Sequence, residues 1–212
     1  MQNPARVASS LALKVAAVLL LSTLAACSIT TGDNTFDAQD TTADDSEFSM
    51  LDSAGIARIM QSKSVRLDMR TGAVVKADVG LQESSTAPDL AAPDGEKLQL
   101  SIRGSEGRLT AATDRVRFTT TTSMPTMDIV YYFLTAEDRE SYFQLLRDGV
   151  EDYGIDGEAV ESWIDGTVAN PEGADSYALA PGSKLGFDVV YDLRYDGTND
   201  TQVIIVEVSA IS

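Results

Sequence analysis

Apolar and polar positions alternate with a period of two over the last third of the chain. In "KLGFDVVYDLRY", residues 184–195, the side chains of Leu185, Phe187, Val189, Tyr191, Leu193 and Tyr195 fall on one face. "TQVIIVEVSAI", residues 201–211, follows after a loop opening on Asp196-Gly197. Strict alternation puts successive side chains on opposite faces of a strand, and two such runs across a short polar loop predict a hairpin. The same period appears earlier, at Val65, Leu67 and Met69, then at Leu98, Leu100 and Ile102. Thr71-Gly72 is expected to turn the chain into a second strand over "AVVKADVG", residues 73–80. "GSEG" turns after residue 103, and "RLTAATDRVRFTTTT" continues as one strand or two. The run Ile129 to Leu134 has no polar break, which predicts a strand buried on both faces.

Helical spacing replaces alternation in three places. Leu51, Ile56, Ile59 and Met60 follow a cap at Asp52 or Ser53 and predict a short helix over residues 51–62. After the apolar strand, Thr135 is the expected N-cap of a second helix, with Asp138 in a capping-box-like place. Its stripe is Phe143, Leu146 and Val150, joined by Tyr142 and Tyr153, and Gly154 closes it in a left-handed conformation. A third helix has Asp156 as cap, Val160, Trp163 and Ile164 as its buried side, and Gly166 as its end. Residues 81–96 and 170–183, rich in Pro, Gly and Asp without a sustained period, read as surface loops. The expectation is an α+β fold: a mostly antiparallel sheet, a helix pair packed on one face, and a C-terminal β-hairpin.

The N-terminus has a different grammar. Arg6 and Lys14 precede twelve uncharged residues, 15–26, and then Cys27, the one cysteine of the 212-residue chain. Basic, apolar and small residues in that order are a secretory signal, and the apolar run is shorter than the roughly 18 to 20 residues that span a bilayer core. Leu24-Ala25-Ala26-Cys27 resembles the lipobox of bacterial lipoproteins, in which the cysteine is diacylated and the chain is cleaved before it. The resemblance implies lipidation of Cys27, palmitate-like acyl chains, and residence on the extracytoplasmic face of the cell membrane. An unpaired thiol is a liability in an oxidising compartment, and two acyl chains give the stable anchoring that one does not. Residues 28–50 hold six acids and no base, and are expected to form a disordered tether. The organisation expected is therefore a signal peptide over 1–26, lipidated Cys27 and tether over 27–50, and one α+β domain over 51–212.

Charge and missing residue types narrow the chemistry. The net charge is −17, and removing residues 1–26 leaves 14 basic against 33 acidic residues, near −19. Such a surface repels nucleic acid, so none is expected as a partner. Histidine is absent, and Cys27 is committed to lipid, which removes Ser-His and Cys-His catalysis and zinc sites built on nitrogen or sulfur. Carboxylate, Ser-Lys and oxygen-ligand chemistry remain, but no Ser-x-x-Lys, phosphate loop or nucleophile elbow is present. "DGTNDTQVIIVE", residues 196–207, copies the acidic spacing of an EF-hand but has Thr201 in place of the required glycine. No catalytic residue, metal ligand or cofactor is expected.

The remaining candidates are aromatic. Phe143 and Trp163 are the possible ligand-facing side chains, against the plainer reading that they bury the helix pair on the sheet. The functional expectation is a non-catalytic binding module of the cell envelope, monomeric, with an envelope protein or ligand as partner. Residues 51–62 leading into "KSVRLDMRTG" loosely resemble the start of the lipid-carrying lipoproteins of mycobacterial envelopes, which implies a carrier with an apolar cavity between sheet and helices as the alternative. A carboxylate-based hydrolase is the third reading.

Overall fold

The computed structural model describes residues 48–93, 95–119 and 124–211, all within one compact unit. The signal peptide, Cys27 and nearly all of the tether lie outside the described residues. The fold is α+β and mostly antiparallel, and its largest sheet is built on the C-terminal hairpin of β10 (Asp188–Asp196) and β11 (Thr201–Ser209). The two strands pair along their whole length, from Asp188 opposite Ser209 to Asp196 opposite Thr201. The turn is held by the Asp196 carboxylate, which accepts from the Thr198 and Asn199 backbone N–H groups and from the Asn199 carboxamide. Those donors stabilise the ionised form and hold the Asp196 carboxyl below its ordinary range.

β8 (Ile129–Thr135) joins the other side of β11, β6 (Arg115–Thr119) joins β8, and the two-residue β3 (Leu90–Ala91) ends that side of the sheet. At the opposite edge β10 pairs with β9 (Ala174–Ala178). Val130, Tyr132, Leu134, Tyr191, Leu193, Ile204, Val206 and Val208 all project to one face and are buried. Two helices cover them, α2 (Arg139–Tyr153) and α3 (Gly157–Ala169). α2 docks through Tyr142, Leu146, Gly149 and Tyr153, and α3 through Val160, Ile164 and Thr167. The approach at Gly149 is close: a Cβ there would stand 2.6 Å from the Tyr191 ring.

A second sheet sets β4 (Leu98–Arg103) between β1 (Ser64–Asp68) and β5 (Arg108–Thr113). The β1–β4 pair is parallel, the exception among the pairings, and β1 follows α1 (Ser53–Ser62) directly. The chain passes from one sheet to the other between β5 and β6, two strands rather than one. There the buried Thr113 hydroxyl accepts the Phe133 N–H at 3.0 Å and lies 2.8 Å from the Phe133 carbonyl, replacing ladder bonds lost at the switch. Val74–Val75 forms β2 and pairs with β7 (Thr126–Met127) in a third, small sheet.

Several expectations are corrected at their edges. The second strand after Gly72 shrinks to β2, and Ala77–Val79 turns as a 3-10 helix because Lys76 is drawn inward, donating from Nζ to the Glu83 carbonyl at 2.7 Å. α2 begins at Asp138, not Thr135, since β8 continues to Thr135 against Val203; the Asp138 carboxylate then caps the Ser141 N–H at 2.7 Å. α3 runs past Gly166, where a Cβ would meet nothing within 4 Å. Ile129, Tyr131 and Phe133 are only half-buried, so β8 alternates like its neighbours. Finally, β3 and β9 stand where loops were expected.

Candidate functional site

α3 presents two stripes. Val160, Ile164 and Thr167 enter the core, while Ala159, Trp163, Gly166 and Asn170, three or four residues apart, face the edge of the large sheet. Opposite them, Asp175 and Tyr177 are two residues apart on β9 and share the helix-facing side of the sheet, beside Tyr195 and Leu193 of β10. Between α3 and β9 lies an open cleft of about 450 Å³. That volume falls in the range of roughly 300–1,000 Å³ typical of small-ligand sites.

Trp163 of α3 and Tyr177 of β9 both line it. Their rings are stacked, centroids 6.1 Å apart and planes 20° from parallel. The indole is half-buried, whereas Tyr177 is 51% exposed, so one ring supports the other and the outer one meets solvent. Beneath the stack, Trp163 Nε1 is turned toward the Tyr142 hydroxyl, but neither buried atom completes a hydrogen bond of normal geometry. Burial pushes the Tyr142 phenol well up from its ordinary range.

The rim is built by the connection from α3 to β9. The Tyr195 hydroxyl donates to the Pro171 carbonyl at 2.6 Å, the Thr198 hydroxyl donates to the Glu172 carbonyl at 2.8 Å, and the Gly197 N–H donates to the Gly173 carbonyl at 2.9 Å. These bonds tie the 170–173 segment to the hairpin turn. A Cβ at Gly173 would stand 2.3 Å from the Asn170 carboxamide nitrogen, so glycine leaves room for that carboxamide at the rim. The lining holds one carboxylate, Asp175, and no lysine or arginine.

Of the two aromatic candidates, Trp163 lies at the cleft. Phe143 is partly buried on α2, its ring 6.1 Å from Tyr142, outside the cleft lining. Tyr177, Asp175 and Asn170 come from residues 170–183, whose composition reads as loop. The five residues of "ADSYA" are too short for alternation alone to mark as a strand, and only the pairing with β10 reveals their common face. Among the described residues no group of three or more His, Cys, Asp or Glu is placed to hold a metal ion, and no helix is long and apolar enough to cross a membrane. Asp152, whose carboxyl is held above its ordinary range by burial and by Asp148 and Glu151, sits on α2 outside the cleft lining. No family model, curated protein or solved structure matches the chain.

Proposed function

We propose that the protein is a lipid-anchored lipoprotein of the extracytoplasmic face of the cell membrane, and that its folded domain is a non-catalytic binding module which engages its ligand or envelope partner at the α3–β9 cleft. Anchoring rests on the sequence Leu24-Ala25-Ala26-Cys27 and the apolar run before it. Binding rests on one observation above all: a half-exposed aromatic stack flanked by polar side chains that the fold does not use. An exposed tyrosine on the helix-facing side of a sheet contributes little to the core, so its placement is better accounted for by contact with something outside the chain. The packed interface between α2 and the sheet favours this reading over a carrier, because Tyr132, Tyr142, Leu146 and Tyr191 fill the place an acyl chain would take.

Anchoring is tested by Cys27→Ser in the native host. Serine cannot form the thioether, and position 27 lies outside the described residues. The expected outcome is loss of acyl label and release from the membrane fraction, with the thermal stability of the domain unchanged. Equal membrane retention of variant and wild type would refute the anchor.

A further inference from the structure

Resting on the cleft as the ligand site, we propose that its ligand class is carbohydrate: a hydroxylated sugar ring laid with a C–H face on Tyr177 and held through its hydroxyls by the polar rim. Four observations weigh against other classes in turn. The lining has no cationic side chain, carries Asp175, and belongs to a chain of net charge −17, so phosphorylated and other anionic ligands are repelled. Trp163 and Tyr177 are stacked on each other, nearly parallel at 6.1 Å, so a planar base or aromatic ligand is not clasped between two rings and meets only the outer face of Tyr177.

The rim argues against a wholly apolar ligand. The Asn170 carboxamide and the Ser162 and Tyr177 hydroxyls make no hydrogen bond with any described group, and Asp175 receives only the Ser176 N–H, at 2.8 Å. A fatty chain would strip water from these groups without replacing it. An organic cation is the closest competitor, since Asp175 stands beside an aromatic face. Yet cation recognition draws its strength from several faces converging on one charge, and the stack leaves a single face free. The neutral groups, which both donate and accept, suit hydroxyls, which also do both. The ring face is electron-rich and attracts the weakly positive C–H hydrogens of a pyranose or furanose.

Trp163 is the sole tryptophan, so its emission reports on the cleft. The test titrates the whole mature protein, extracted in a detergent without a sugar headgroup, with the methyl glycosides of glucose, galactose, mannose and arabinose, and in parallel with choline chloride. The expected result is a saturable emission change with at least one glycoside, insensitive to salt. Tyr177→Ala is expected to weaken it by about three- to tenfold, the worth of one ring contact. Asp175→Ala is expected to weaken it at least as much, and both variants should melt like wild type. A response to choline alone, falling with salt, would overturn the sugar class and leave the cleft a binding site. A glycoside response undiminished in Tyr177→Ala would place the sugar elsewhere and overturn the proposal. Silence with every probe would remove both the sugar class and the cleft's role as a small-ligand site.

Discussion

Gly149 and Gly166 are both helical, and they illustrate how position decides what a glycine is for. At Gly149 the missing side chain admits the Tyr191 ring, which is buried and fixed between α2 and the sheet. An alanine there gains about 1 kcal/mol of helix propensity but must displace the ring, and overpacking of that kind costs about 1–3 kcal/mol. Gly149→Ala is expected to lower stability by about 1 kcal/mol. Gly166 faces open space, so Gly166→Ala keeps the propensity gain and is expected to raise stability by about 0.5–1 kcal/mol. Urea titration of the two variants checks both signs, and a stabilised Gly149→Ala would show that the α2–sheet contact is looser than described.

At the scale of elements, what the sequence reveals depends on whether an element carries its own signal. β10 and β11 alternate over nine residues each, and α2 and α3 carry apolar residues at helical spacing, so pattern alone locates them to within a few residues. β3 and β9 have two and five residues, and exist because β6 and β10 offer them a partner edge. Pairing is non-local, and no local period reports it. The same reason explains the start of α2: Thr135 is a fair cap by composition, but its backbone is spent on β11, and the cap passes to Asp138. The cleft inherits this division. Trp163 is legible because it sits on a periodic helix, while Tyr177 and Asp175 become visible only once β9 is known to turn them toward α3. The unbroken apolar run 129–134 misleads in the opposite sense, since composition says nothing of which face water reaches.

The molecule as a whole has no histidine, and this fixes its response to pH. Between about pH 6 and 9 almost nothing on it titrates, so stability should be flat there. Lower down, two effects act in sequence. Asp152 has its folded pKa raised, so its charge costs stability above that pKa, and the cost is relieved as pH falls through it. Asp68, Asp89, Asp138, Glu161 and Asp196 have folded pKa values lowered, chiefly by hydrogen bonds from Arg70, Arg115, the Ser141 N–H, Arg147 and Asn199. Their contribution is complete above the ordinary carboxylate range and is lost as pH falls through the lowered folded values. The melting temperature is therefore expected to hold level, rise slightly, then fall in strong acid. A step centred between about pH 6 and 7 would contradict this assignment of charges.

If the cleft binds, the exposed face of Tyr177 meets a ligand or partner in the cell. A photoreactive phenylalanine analogue placed at position 177 of the full chain, irradiated in intact cells of the native host, tests it directly. Thr110, exposed on β5 in the other sheet, serves as the control position. The account predicts a light-dependent adduct from position 177 that is absent from position 110. No adduct from position 177, or the same adduct from both positions, would contradict it.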